Sequence, residues 1–153
     1  MATRLDGRRL DAWTHFVLSY NQIMRVLEPE MTARAGLTLS QYDVLLRLSE
    51  APEGRMKMTE LAEAIVYSTG GLTRLVERMW RAGLVDRDQS AEDRRVVYAA
   101  LTEEGRRRLQ LASRVHMDGV ARHFARYLAD DEVDAVGRFL ARLHGASQGC
   151  DQG

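Results

Sequence analysis

The chain of 153 residues has a single cysteine, Cys150, close to its end. One thiol cannot close an internal disulfide, and it has no companion for a metal site. No apolar run is long enough to span a bilayer. The opening MATRLDGRRLDAW lacks the apolar core of a signal peptide. These absences predict a cytoplasmic protein with no membrane partner. Net charge is missing too, since 22 Lys and Arg balance 22 Asp and Glu. That argues against a basic sheath for sequence-blind nucleic-acid binding. It leaves specific DNA binding open, because local charge is what meets phosphates. Enzyme signatures are also absent: there is no Ser/His/Asp pattern, no phosphate-binding glycine loop and no metal motif. The acid pairs Glu103-Glu104 and Asp130-Asp131 stand at expected helix starts, where the helix dipole accounts for them. No catalytic residue and no cofactor are expected.

What is present is helical periodicity. Leu10, Trp13, Val17, Tyr20, Met24 and Leu27 alternate steps of three and four, forming an apolar stripe along a first helix. Pro29 is expected to end or kink it, and Ala35-Gly36-Leu37 reads as a link. Thr38-Leu39-Ser40-Gln41 has the form of a capping box, opening a helix with Tyr42, Leu45, Leu46 and Leu48. Ala51-Pro52-Glu53-Gly54 is a turn signal. A third helix holds Met58, Leu61, Ala62 and Ile65, and Ser68 is the expected N-cap of a fourth.

On that fourth helix Leu72, Leu75, Val76 and Met79 share one face, with Thr69, Gly70, Thr73, Arg74, Glu77 and Arg78 opposite. Arginine can take guanine bidentately, and threonine can meet a base edge or a thymine methyl. Gly70 and Gly71 are poor helix formers, which suits close backbone approach to a phosphate. The bland alternative is a solvated helix face with two incidental glycines. Gly83 supplies a stop. Two β-like runs follow, 84–87 and 95–101, and the polar loop between them suits a hairpin. Its tip carries Asp93, Arg94 and Arg95. An arginine there can enter a narrow minor groove; the bland alternative is a surface ion pair worth under about 1 kcal/mol. Thr102 is expected to cap a long helix running to about Leu128. Asp130 and Asp131 start a last one, with Val133, Val136, Leu140 and Leu143 on one stripe.

The expected fold is mainly α with a small β-hairpin wing. A winged helix-turn-helix lobe (35–101) is flanked by an N-terminal dimerisation helix (1–34) and C-terminal dimerisation helices (102–146). A disordered tail (147–153) follows. The terminal stripes are too apolar to stand alone. They could fold back on the middle unit or pair with a second chain; the second chain is the expected cover, because a two-fold dimer presents two recognition helices to one DNA site.

With helix and wing in this order, the sequence resembles the MarR family of transcriptional regulators. The family's Asp-x-Arg wing followed by Leu-Thr-x-x-Gly appears as Asp93-Arg94-Arg95 and Leu101-Thr102-Glu103-Glu104-Gly105. Glu60-Leu61-Ala62, Thr73-Arg74-Leu75-Val76 and Arg81-Ala82-Gly83-Leu84-Val85 match its other motifs. The resemblance implies a homodimer bound to a pseudo-palindromic operator on double-stranded DNA, usually as a repressor. It places Ser68, Thr69, Thr73, Arg74 and Arg78 in the major groove and Arg94 in the minor groove, with Asp93 and Arg95 bracing the wing.

Relatives of this kind often release DNA when a small aromatic or phenolic effector binds between the dimer helices and the DNA-binding lobe. Trp13, His15, Phe16, Tyr42, Asp43, Arg55 and His116 are the candidates for such a cleft, since an aromatic wall with one arginine suits an anionic aromatic ligand. Their bland reading is dimer core, ion pairs and satisfied histidines. Oxidant-sensing relatives carry a cysteine in the first helix, where this chain has His15 and Tyr20. His116 and His123 lie seven apart, a weak metal signal. Two alternatives stand beside a ligand-released repressor: a regulator that binds DNA without a ligand, and a winged helix that docks on proteins. Arg74, Arg78 and Arg94 argue against the latter.

Overall fold

The computed structural model describes residues 5–65 and 69–149. Its helices are α1 (Gly7–Ala35), α2 (Leu39–Glu50), α3 (Met58–Ala64), α4 (Thr69–Arg81), α5 (Glu103–His123) and α6 (Val133–Gly149). Its strands are β1 (Arg55–Lys57), β2 (Val85–Gln89) and β3 (Val97–Leu101), and short 3-10 turns occupy Pro52–Gly54 and Ala125–Tyr127. The fold is mainly helical with a small antiparallel wing, as expected. The chain divides into two compact units, Met1–Met117 and Asp118–Gly153.

In the first unit α1 begins at Asp6, whose side chain accepts the Arg9 backbone N–H at 2.9 Å. It does not end at Pro29. The helix runs on to Ala35 and stops at Gly36, whose φ is +66°. An internal proline costs roughly 3 kcal/mol through its lost hydrogen bond and ring clash. Here Leu27, Met31 and Ala35 outweigh it: they flank Pro29 on one stripe and are almost fully buried, at 1%, 0% and 3% exposure. Burying a Leu or Met side chain stabilises by about 1.5–3 kcal/mol each. The Glu28 carboxylate also accepts the Leu39 backbone N–H at 3.1 Å, tying α1 to the start of α2.

The capping box forms as the sequence indicates. Gln41 N–H donates to Thr38 Oγ1 at 3.1 Å, and Thr38 N–H donates to Gln41 Oε1 at 2.9 Å. Val44, Leu45 and Leu48 of α2 are fully buried and Tyr42 nearly so. They meet Leu61 of α3, Leu72, Val76 and Met79 of α4, and Leu109, Ala112 and Val115 of α5 in one core.

The sheet has three strands in the order β1-β3-β2, all antiparallel. β3 pairs Val97 to Leu101 with Gln89 to Val85 on one side and Tyr98 to Ala100 with Lys57 to Arg55 on the other. β1 was not legible in the sequence: Arg-Met-Lys is too short and polar to signal a strand. It forms because β3 offers a second hydrogen-bonding edge, and Met56, opposite the buried Ala99, packs against the core.

In the second unit α5 ends at His123, five residues before the expected Leu128. Phe124 leaves helical geometry, at φ −131° and ψ −64°, and a 3-10 turn takes over. Glu132 Oε2 accepts the Ala129 N–H at 3.0 Å before α6. α6 continues to Gly149, so 147–149 are helical where the sequence reading starts a disordered tail. Ala146 and Gln148 are good helix formers and carry it on. Cys150 lies outside the described residues. No described helix is long and apolar enough to cross a membrane.

Candidate nucleic-acid interface

The α3–α4 pair presents a two-faced helix. Leu72, Leu75, Val76 and Met79 are buried, at 0%, 4%, 0% and 0% exposure. On the other side Arg74 and Arg78 are exposed and Thr73 is half-buried. Glu77 is the acid of that face, and its carboxylate is taken by Arg81 one turn on, at 2.5 Å. Among the described residues no ion pair engages Arg74 or Arg78. The face therefore shows two guanidinium groups that no described carboxylate neutralises. A Cβ at Gly70 would meet nothing within 4 Å, so no described neighbour requires glycine there. Ser68 and the side chain of Thr69 lie outside the described residues.

α4 ends in a Schellman motif. Gly83, at φ +73°, donates its N–H to Trp80 O at 2.9 Å, and Leu84 N–H donates to Met79 O at 3.0 Å. The remaining Gly83 carbonyl accepts the Thr102 hydroxyl at 2.7 Å, and Thr102 Oγ1 in turn accepts the Gly105 N–H at 2.9 Å, capping α5. Gly105 sits hard against this exit: a Cβ there would lie 2.0 Å from Leu84 O and 2.9 Å from Leu101 Cδ1. The Leu-Thr-x-x-Gly pattern thus has a physical reason. Leu101 packs, Thr102 bonds both helix ends, and Gly105 lets α5 touch the end of α4. The sequence marked Thr102 only as a cap; its second bond, to Gly83, has no local signal.

The wing loop is internally bonded. Ser90 N–H donates to Val96 O at 2.9 Å and Val96 N–H to Asp93 O at 2.9 Å. Asp93 Oδ1 accepts both the Arg95 backbone N–H at 2.9 Å and Arg95 Nε at 3.2 Å. The backbone bond is the main reason the Asp93 carboxyl is held below its ordinary pKa, and the Arg95 side chain adds to it. Arg94 is exposed beside this brace, with no ion pair among the described residues. Trp80, 49% exposed at the end of α4, lines a cleft of about 290 Å³ with Arg87, Gln89 and Val97 at the base of the wing. Trp80 carries one weak signal in the sequence, its place one residue off the buried face.

The candidate effector residues fall in separate places. Trp13 and Phe16 have ring centroids 6.2 Å apart on α1, and both are exposed, as is His15. Tyr42 of α2 stacks on His116 of α5 at 4.8 Å and 26°. His116 Nδ1 is buried with no hydrogen-bond partner among the described residues. Arg55 stacks instead on Tyr98, 4.3 Å from the ring centroid. Both line an open groove of about 780 Å³ rimmed by Glu53, Glu60, Asp88 and Glu92. Among the described residues no three His, Cys, Asp or Glu converge as metal ligands.

Burial lowers the His116 pKa, and the Asp43 carboxylate partly opposes this. Burial raises the Asp43 pKa, against the pull of Arg47 and His116. For His116 the unfolded chain binds the proton more readily, so stability is lost as pH falls from about 6.5 toward the lower folded value. Asp43 acts in the opposite sense. Its folded state holds the proton more tightly, so stability is regained as pH falls through its raised value. His116→Phe keeps the stack on Tyr42 and removes the titration. Urea midpoints at pH 7.5 and 5.5 should therefore fall less for the variant than for the wild type; equal falls would show that His116 contributes nothing to acid sensitivity.

Helix, tight exit and braced hairpin make a winged helix-turn-helix. Residues 35–96 match the model of the MarR family. The HTH-type transcriptional repressor YetL of Bacillus subtilis is 30% identical over 139 residues, covering 91% of this chain and 82% of that one. The HTH-type transcriptional repressor MdtR of the same species is 26% identical over 136 residues, covering 86% and 84%. Among solved structures, AbsC, a MarR family transcriptional regulator from Streptomyces coelicolor, superposes with a TM-score of 0.86 at 30% identity over 97% of this chain and 99% of that one. Sco3205 from the same organism, solved in complex with DNA, shares the fold with a TM-score of 0.87 at 24% identity, over 95% and 91%. The chain belongs to the MarR family of transcriptional regulators.

Proposed function

We propose that this protein is a dimeric, sequence-specific DNA-binding repressor of the cytoplasm, acting on a pseudo-palindromic operator. The observation that carries the reading is the trio of arginines without ion pairs among the described residues. Arg74 and Arg78 lie on the open face of α4 and Arg94 on a braced wing tip. Thr73, Arg74 and Arg78, with Ser68 and Thr69, face the major groove, and Arg94 enters the minor groove. Asp93 and Arg95 hold the tip in shape.

The dimer is supported by one stripe on α1. Its C-terminal half, Leu27, Met31 and Ala35, is covered by the chain's own lobe. The same stripe continues N-terminally through Tyr20, Phe16, Trp13 and Leu10, which stand 57%, 40%, 60% and 48% exposed. Val133, Phe139 and Leu143 of α6 are also exposed apolar residues. The assigned cover is a second copy, joined through N- and C-terminal helices.

Release by a small aromatic or phenolic effector belongs to the same proposal. Its support is the Tyr42–His116 stack with its unmatched Nδ1, and the Trp13–Phe16 pair.

The test is fluorescence anisotropy on DNA from upstream of the protein's own gene, against a shuffled duplex, across salt. Tight binding to the upstream DNA alone, at two chains per site, is expected; equal weak binding to both duplexes would defeat the specific reading. Arg94→Ala should weaken binding and lower the salt slope by about one phosphate equivalent. An unchanged slope and affinity would remove the wing from the interface. Adding benzoates and phenols to the complex tests release.

A further inference from the structure

α5 makes a second close approach, one turn beyond Gly105. Arg108 reaches back to the end of α1, where its Nη2 donates to Ala35 O at 3.1 Å and to Gly36 O at 3.2 Å. These are among the carbonyls a helix end leaves without partners, and a cation is favoured at that end of the dipole. The fit is close: a Cβ on Gly36 would lie 2.5 Å from Arg108 Nη2. Arg108 Nε is buried with no acceptor among the described residues, so the guanidinium is held there despite an unmatched donor. Gly105, Arg108, Leu109 and Ala112 follow helical spacing on one face of α5. That face therefore touches first the exit of α4, through Thr102 and Gly105, and then the exit of α1, through Arg108.

Under the proposed function α4 reads DNA and α1 joins the two copies. From this geometry we propose that Arg108 is a positioning residue that fixes the recognition helix relative to α1 and so sets the half-site spacing the dimer accepts. The inference rests on the dimeric DNA-binding reading. Arg108 itself need not touch DNA. One added base pair moves a half-site by about 3.4 Å and turns it by about 35°. A rigid lobe cannot follow that change. A lobe that has lost its tie at the exit of α1, and is held there by the apolar contacts of Leu27, Met31 and Ala35 and by the Glu28–Leu39 bond, can follow part of it.

The experiment uses the full-length protein and a duplex selected by the wild type from a random pool. The spacer between half-sites is then changed by one and two base pairs either way. The wild type should prefer one spacing by about tenfold or more over its neighbours, a cost comparable to a mismatched base pair. Arg108→Met should remain dimeric, bind the preferred spacing more weakly, and discriminate between spacings by about threefold or less. Arg108→Lys keeps the charge but not the planar fork, and should fall between the two. If Arg108→Met does not fold, the Lys variant carries the test. A wild type that selects no paired half-sites would overturn the DNA-binding dimer itself. A wild type with a sharp preference, matched by variants of equal sharpness, would overturn the role of Arg108 alone. Uniform weakening at every spacing would do the same, since a merely stabilising contact behaves that way.

Discussion

Gly105→Ala should destabilise the protein by about 3 kcal/mol, the upper end of overpacking costs. The added Cβ would lie 2.0 Å from the Leu84 carbonyl oxygen, which is backbone in the C-terminal cap of α4 and cannot swing aside like a side chain. Relief requires α5 to lift from the end of α4, which also stretches the Thr102–Gly83 bond. In an exposed helix the same change would stabilise by up to about 1 kcal/mol, because alanine is the better helix former. The sign therefore separates close approach from propensity. Thermal melts followed by circular dichroism would show a drop of about 10 °C. A variant melting within 2–3 °C of the wild type, roughly 1 kcal/mol, would mean that the junction is softer than described.

Trp13→Glu should leave the lobe folded and abolish the dimer. The ring is 60% exposed in one chain and lies on the uncovered half of the α1 stripe, beside Phe16. A carboxylate placed in a buried apolar seam must either be desolvated or keep the chains apart. Sedimentation should show a monomer at micromolar concentration. Affinity for a two-half-site operator should fall by about 100-fold or more as bivalency is lost, while binding to a single half-site stays as it was. A variant that sediments as a dimer would put the interface elsewhere. The readout differs from that for Gly105, where stability falls and the dimer stays.

Much of this architecture is written locally. The Thr38–Gln41 capping box, the buried Leu72, Leu75, Val76 and Met79, the Gly83 stop and the wing between two short strands all follow from spacing and turn chemistry. The misreadings come from forces that act at a distance. Pro29 looks like a terminator because its cost is local, while the burial that overrides it comes from elements far along the chain. β1 is invisible because Arg55 to Lys57 becomes a strand only on meeting β3. The Arg55–Tyr98 stack follows from that pairing, and with it the acidic rim around an arginine the sequence offered as an anion partner. Of the candidate interface, the exposed arginines of α4 and the Asp93–Arg95 brace were legible, since each depends on neighbours within a few residues. The links from α5 through Thr102 and Arg108 span 19 and 73 residues, and no local pattern announces them.

Under the proposed function, in which the wing docks on DNA, the Asp93–Arg95 brace has a kinetic meaning. A hairpin loop that is already turned and bonded gives up little chain entropy when it docks, whereas a floppy one must first be ordered at roughly 1–2 kcal/mol per residue. Fewer approaches are then wasted on misfolded tips, so encounter should be limited by diffusion and charge more than by loop rearrangement. Below the depressed Asp93 pKa the carboxylate is neutralised and the brace weakens. The loop would then have to find its shape after contact, and capture would slow.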